Sequence, residues 1–407
     1  MEKSRFMQLW LFKSIFIMNS NTSAVIENNR SSNIGRIQYF VYLALIIYFV
    51  VPHHLFTLLL NISGIKPFDL AVLLALSFYL ICKVNLRGYI PILTLFSIYI
   101  FRSFIAIGDV GLVGIVFALK FFEYFIVIFC IKDLRPVFLE KLLIIYLVSI
   151  LLYVLAELIG INVGLLWGGR ATAHFGGPYE LSAIALLFFF FFSKNIFLRL
   201  LFASIILLTG TKAAYLALIF GLFLSINIRN ILSISLVGLI FIYILSSYDE
   251  RFLEFISIIS SIFDMELFMG ILSSLPTIES HAQYMELWNM RQDDYDETID
   301  LSSFSRLYTY AIILKSIDLS AILYGNGPGF FGAAVDSSIL RIFAETGIIG
   351  LISSFYIIFS FTDSFKGKYK NLLLIMSIIA LSDVFFSARF LPTLALLNQY
   401  NHLKLKS

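Results

Sequence analysis

An all-α, polytopic transmembrane helix bundle is the fold class this sequence predicts. Three observations carry that reading: apolar content, the length of the apolar runs, and the placement of the basic residues. Hydrophobic residues fill 60% of 407 positions and charged residues only 14%, with a mean hydropathy of +0.92. A water-soluble chain carries roughly a quarter charged residues to coat its surface, so lipid must be the solvent for most of this one. A formal net charge of +3 is too small to imply a nucleic-acid partner. The two cysteines, Cys82 and Cys130, lie inside apolar runs, which offers neither a disulfide framework nor a thiolate metal site.

A helix needs about 20 mostly apolar residues to cross a bilayer, and somewhat fewer where neighbours thin it. Candidate spans cover 38–60, 68–84, 89–107, 110–131, 142–163, 179–193, 197–209, 212–226 and 231–247. After a long polar gap come 343–361 and 371–386, with 390–400 as a short twelfth. That is about eleven to twelve spans. With the N-terminus inside, inner segments carry sixteen basic residues, among them Arg36, Lys83, Arg87, Lys132, Arg135, Lys194 and Lys366. The short outer loops carry three: Lys66, Arg170 and Lys212. This asymmetry fixes the direction of the chain, because basic loops stay on the cytoplasmic side. The apolar run 6–18 is interrupted by Lys13 and lacks a small-residue cleavage site, so it reads as an interfacial helix rather than a signal peptide.

The organisation that follows is a cytoplasmic segment 1–36, a bundle of nine spans over 37–247, a large outer loop over 248–342, and the last two or three spans with the tail over 343–407. The loop opens with Phe252, Phe255, Ile256, Ile259 and Phe263 at helical spacing, as suits a helix lying on a membrane surface or docked on the bundle. Its middle is acidic, with Glu279, Glu286, Asp293, Asp294, Asp296, Glu297 and Asp300. Residues 303–323 are again amphipathic, with Leu307, Tyr310, Ala311 and Leu314 on one side, so the loop is expected to be folded and mostly helical.

Gly325-Asn326-Gly327-Pro328-Gly329 lacks the strand-then-helix order of a dinucleotide fingerprint, and Gly210-Thr211-Lys212 lacks the spacing of a P-loop. Both read as turns. The run Asp293-Asp294-Tyr295-Asp296 lacks the glycine and closing glutamate of a calcium loop and reads as a solvated acidic face. Charges inside spans are costly and usually serve a purpose. Lys120 and Glu123, one turn apart, read as a neutralising pair. Arg102 and Glu157 lie toward the outer halves of their spans, within reach of a water-filled cavity open to the outside.

The outer segments hold the most pointed pattern. The loop Trp167-Gly168-Gly169-Arg170-Ala171-Thr172-Ala173-His174-Phe175-Gly176-Gly177-Pro178-Tyr179 leads into a span, and Thr209-Gly210-Thr211-Lys212 joins two short ones. The large loop ends with Ser305-Arg306-Leu307-Tyr308, Leu323-Tyr324 and the glycine turn, and then Glu345-Thr346-Gly347-Ile348-Ile349-Gly350. In order and placement these strings resemble the O-antigen polymerase and O-antigen ligase superfamily, the Wzy and WaaL proteins. That family has an outer-loop arginine followed by Phe-Gly and Pro, a small-residue turn with a basic residue, a helix-borne arginine, a glycine-rich turn, and E-x-G-x-x-G entering the next span. The resemblance covers most of the chain from Arg170 to Gly350. Asp336-Ser337, separated by nine residues from the Gly347–Gly350 frame, stands where ligases carry His-Asn, so aspartate replaces the ligase histidine, which favours polymerase over ligase.

The resemblance implies a GT-C-like fold in a bacterial inner membrane, an active site on the periplasmic face, and undecaprenyl-pyrophosphate-linked oligosaccharide as substrate. Membrane lipids and a polysaccharide chain-length regulator are the other implied partners. Expulsion of the lipid pyrophosphate supplies the driving force, so no cofactor and no metal is expected. The departing pyrophosphate needs charge complementarity, and arginine meets phosphate oxygens with two parallel donors. Arg170 and Arg306 are the candidates, with Lys212 a lesser one. An acceptor hydroxyl must also lose a proton to a general base, for which Asp336, His174 and Glu345 compete. Tyr179, Arg102 and Glu157 complete the expected substrate-binding set. Attachment to lipid A-core by a ligase is the alternative within the family. A lipid-linked oligosaccharide flippase is the alternative from a different class, disfavoured by the folded outer loop.

Overall fold

The structure is a computed structural model that describes residues 29–52, 67–81, 90–161, 170–192, 195–225, 265–290, 301–331, 335, 337–385, 387 and 389–406. Regular structure among the described residues is helical, without a strand. The chain divides into two compact units, Met1–Phe40 and Val41–Ser407. Of the first unit, residues 29–40 are described, as the start of α1 (Asn29–Val50).

The helices that follow are α2 (Pro67–Ile81), α3 (Ile90–Ile105), α4 (Ile107–Val110), α5 (Val113–Asp133), α6 (Pro136–Leu158), α7 (Pro178–Phe191), α8 (Ile196–Leu208) and α9 (Lys212–Ser225). Then come α10 (Met265–Ser274), α11 (His281–Met290), α12 (Leu301–Lys315), α13 (Leu319–Tyr324), α14 (Ser338–Phe361), α15 (Lys368–Leu381) and α16 (Phe390–Lys406). Their ends follow local chemistry. Pro136 opens α6 at the first turn, where its missing N–H costs nothing. Asn195 caps α8 by accepting from the Phe197 and Leu198 amides at 3.1 and 3.2 Å, as an N-cap side chain should.

Three helices among the described residues are long and apolar enough to cross a membrane: Gly114–Asp133, Pro136–Leu158 and Ser338–Phe361. The other expected spans that fall on described residues form shorter helices, such as Ile37–Val50, Leu93–Ile105 and Pro178–Phe191. The expected span 231–247, the interfacial helix 6–18 and the acidic stretch 291–300 lie outside the described residues.

α5 and α7 are the central pillars. Every residue of α5 from 124 to 131 is buried, and all but Tyr179 from 178 to 189 in α7, as expected of helices apolar on all sides. α7 packs on α8, α9 and α16, while α5 packs on α2, α3 and α16. A second core gathers Tyr284 from α11, Phe304, Leu307, Tyr308, Ala311 and Ile312 from α12, and Phe330 and Phe331. The amphipathic reading of 303–323 is corrected in two respects. The stretch breaks into α12 and α13, because Asp318 caps a new helix by accepting from the Ala321 amide at 2.6 Å. Its buried side holds Tyr308 and Ile312, whereas Leu314 is exposed.

Basic residues collect at one end of the bundle. Lys132 closes α5, Arg135 precedes α6, and Lys366, Lys368 and Lys370 surround the start of α15. Hydrogen bonds link the end of α5 to the 362–367 segment through α16: Gln399 donates to the Lys132 carbonyl at 3.2 Å, and the neighbouring Asn398 accepts from the Ser364 amide at 3.1 Å. The opposite end carries the glycine turns and the buried charges.

Small residues permit the closest helix approaches. A Cβ on Gly221 would lie 2.3 Å from the Phe190 ring and 2.7 Å from Leu374, so α9 rests directly on α7 and α15, as small residues allow in membrane bundles. Gly221→Leu should therefore cost about 1–3 kcal/mol through overpacking, read as a lower unfolding temperature in detergent. An unchanged unfolding temperature would refute this packing.

Candidate functional site

Two buried polar networks occupy the glycine-turn end. The first joins the turn after α13 to α14 through the backbone and reaches α3 through the Arg102 side chain. The Asn326 amide donates to the Ala344 carbonyl at 2.8 Å and the Gly327 amide to the Glu345 carbonyl at 3.0 Å. Side chains are excluded from the seam: a Cβ on Gly325 would lie 2.1 Å from the Glu345 carbonyl carbon, and one on Gly347 would lie 2.3 Å from the Leu323 carbonyl. Both glycines also have positive φ, +73° and +66°, a region that L side chains resist. Gly347 breaks α14 inside what the sequence reads as the entrance to a span.

Charge is threaded beneath that seam. Glu345 is almost fully buried and accepts from the Gly329 amide at 3.2 Å and from Arg341 Nε at 3.1 Å. Arg341 in turn donates to Asp383 at 2.5 Å, and its guanidinium lies 5.2 Å over the Phe117 ring. Arg102 at the end of α3 donates to the Gly325 carbonyl. Glu345 is thus engaged on two sides in fixing the glycine turn, and this geometry fits a positioning role better than that of the general base proposed from sequence.

The second network holds the loop between α6 and α7. Glu157 accepts from the Thr172 amide, the Thr172 hydroxyl and the Ala173 amide at 2.9, 2.7 and 2.9 Å. It thereby sustains Ala173 at φ +49°, a left-handed conformation that costs a non-glycine residue roughly 1–2 kcal/mol. Arg389 is 1% exposed and donates to the carbonyls of Tyr48, Val51 and His174. Two of those carbonyls close α1, where helix termini leave acceptors unsatisfied. Glu180 accepts from the Arg389 amide and the Gly176 amide, both at 3.0 Å.

His174 is fully buried, its Nε2 2.7 Å from the Phe49 carbonyl and its ring stacked on Phe175. Burial and the neighbouring Arg389 hold its pKa well below the ordinary histidine value. A ring without exposed surface, committed to a carbonyl, is placed to shape the loop rather than to meet a substrate hydroxyl.

The remaining sequence candidates divide. Arg170 is half-buried at the start of this loop, and the next residue, Ala171, donates to the Leu208 carbonyl at 3.0 Å. That bond sets the loop beside the Thr209-Gly210-Thr211-Lys212 turn, so Arg170 and Lys212 belong to adjoining segments. Tyr179 is half-buried in the first turn of α7, and Arg306 is half-buried on α12. Asp336 and the side chain of Lys120 lie outside the described residues; Glu123 is half-buried. No group of three or more metal-ligating side chains occurs among the described residues.

Arg341, Asp383, Glu180 and Arg389 were not singled out from the sequence. The rule applied to Arg102 and Glu157, that charges in apolar runs serve a purpose, reaches Asp383 in 371–386 and Glu180 in 179–193 equally well. No family model matches the chain, and no curated protein matches it.

Two predictions follow from these networks. Arg341→Met leaves Glu345 and Asp383 without their cation and should destabilise by about 3–5 kcal/mol, while adding Glu345→Gln and Asp383→Asn should restore much of the loss. Thermal unfolding of the purified variants decides it, and a triple variant worse than the single one would contradict the pairing. For His174 the folded state resists protonation. Stability is therefore full above the ordinary histidine pKa and falls as pH drops below it, by up to about 1.4 kcal/mol per pH unit. Unfolding temperatures from pH 7 to pH 5 should decline more steeply in the native chain than in His174→Gln, and parallel curves would exclude the effect.

Proposed function

We propose that the chain is a glycosyltransferase of the O-antigen polymerase type, joining undecaprenyl-pyrophosphate-linked oligosaccharide units at the periplasmic face of the bacterial inner membrane. The observation that carries this reading is the convergence of the glycine turn Gly325–Gly329 with Glu345-Thr346-Gly347. Two strings that match the family's pattern 20 residues apart are in direct backbone contact at the end of the bundle opposite the basic one. Three long apolar helices supply the membrane association the reading requires.

In the reaction, an acceptor sugar hydroxyl attacks the anomeric carbon of the donor. The new glycosidic bond forms as the bond to the pyrophosphate oxygen breaks. Undecaprenyl pyrophosphate leaves with that electron pair, and the hydroxyl proton passes to a base. Arg170 and Arg306 stabilise the charge on the leaving group, where fixed cations shielded from water can contribute several kcal/mol. Lys212, on the turn adjoining Arg170, adds a further charge. Asp336 remains the candidate base, since His174 is sealed in the core and Glu345 is tied to Arg341.

Arg170→Ala and Arg306→Ala should each abolish long-chain surface polymer at unchanged protein level. Lysine should rescue poorly, because a point charge cannot copy the two-donor fork, and the double variant should be little worse than either single one. Gel analysis of surface polysaccharide provides the readout. Loss of the protein should leave material with one repeat unit, whereas a flippase loss leaves none and a ligase loss removes all attachment to lipid A-core. Normal polymer length in either alanine variant would refute the roles given to the arginines.

A further inference from the structure

A histidine beside the glycine turn has one ring nitrogen fixed and the other free. His281 opens α11, and its Nδ1 lies 2.6 Å from the carbonyl of Phe330, the residue after Gly329. A carbonyl can only accept, so the hydrogen sits on Nδ1, and in the neutral ring the lone pair falls on Nε2. That nitrogen has no hydrogen-bond partner among the described residues, and the ring is half-buried. His174 offers the contrast: at 0% exposure it can meet nothing from outside.

Further contacts hold the imidazole in place. Asp109 of α4 accepts from the His281 amide through both carboxylate oxygens, at 3.1 and 3.0 Å, which satisfies an amide that the first turn of α11 leaves free. The ring is flanked by Tyr284, stacked with centroids 6.3 Å apart, and by Phe330, edge-on at 6.0 Å. Tyr284 is itself pinned, its hydroxyl donating to the Phe331 carbonyl at 2.8 Å. α11 also packs on α12, the helix that carries Arg306, and the turn that holds the ring gives its Gly329 amide to Glu345. A fixed tautomer with a free acceptor, carried on rigid elements, is what a proton acceptor requires.

Resting on the function proposed above, we infer that His281 is the general base of the transfer and takes the proton of the acceptor sugar hydroxyl on Nε2. Asp336 is the base that the sequence candidates leave, and the fold adds one that lies in none of the motif strings. As the O–H bond breaks toward Nε2, the hydroxyl oxygen forms its new bond to the anomeric carbon. The electron pair of the old glycosyl–oxygen bond departs with undecaprenyl pyrophosphate. The imidazolium then passes its proton to water. Phe330 holds the Nδ1 hydrogen throughout, and its carbonyl dipole favours the positive ring that forms.

The test uses the full chain in proteoliposomes with a synthetic undecaprenyl-pyrophosphate oligosaccharide. Asparagine can keep the bond to Phe330 through its side-chain amide but cannot take the proton. His281→Asn should therefore unfold at the native temperature yet lengthen the saccharide about 100-fold more slowly, the low end of what a general base supplies. Imidazole in the buffer should restore part of the loss, which it would not do for a purely structural histidine. In the native chain diethyl pyrocarbonate should modify His281 and the lipid-linked oligosaccharide should protect it, read from peptide masses. This arm stays decisive if His281→Asn does not fold. A native rate in His281→Asn, a slow variant that imidazole leaves slow, or no protection of His281 would each overturn the inference and leave the polymerase reading standing. A native chain that adds no unit would remove that reading, and the base with it.

Discussion

Where Gly325 and Gly347 meet, two backbones approach more closely than any side chain would permit, and much of the polar end of the molecule follows from that contact. The seam needs positive φ at both glycines and brings the Asn326 and Gly327 amides onto carbonyls of α14. It breaks α14 at Gly347 and aims the Glu345 carboxylate at the Gly329 amide. Arg102, on a different helix, is drawn to the same turn through the Gly325 carbonyl. A single methyl group at either glycine would force these elements apart.

Buried charge is the second constraint. Arg341 pairs with Glu345 and Asp383, whereas the Arg389 guanidinium is held by backbone carbonyls and Glu180 by backbone amides; both place charge-bearing side chains in an apolar bundle, where a lone charge is expensive. Each is satisfied by fixing backbone that has no regular partner: the glycine turn in one case, and the 171–177 loop with the end of α1 in the other. The short connection 382–389 supplies a member to both networks, Asp383 to the first and Arg389 to the second. The two loops that carry the motif strings are therefore held by one stretch of chain between α15 and α16.

Helical class and apolar helices were legible in the sequence, because they depend on composition and on run lengths. The glycine strings were legible as turns, since Gly-Asn-Gly-Pro-Gly can hardly be anything else, but their mutual contact was not. Nothing local couples residue 325 to residue 347. The burial of His174 was hidden for a similar reason, since a polar residue in a loop gives no sign of whether the loop folds inward, and that of Glu345 because its partner Gly329 meets it only once the glycine turn has docked on α14. His174 does fold inward, sealed by Tyr146, Tyr153 and Phe175. Arg389 could have been noticed as a charge between two apolar runs, yet its three carbonyl partners come from distant segments that no spacing rule links.

Reconstitution separates a polymerase from a transporter. The purified chain in proteoliposomes, given a synthetic undecaprenyl-pyrophosphate oligosaccharide with no nucleotide and with chelator present, should elongate it. Each added unit should release one equivalent of undecaprenyl pyrophosphate. Transfer of intact substrate across the bilayer with no lengthening of the saccharide would contradict the account and identify a transporter instead.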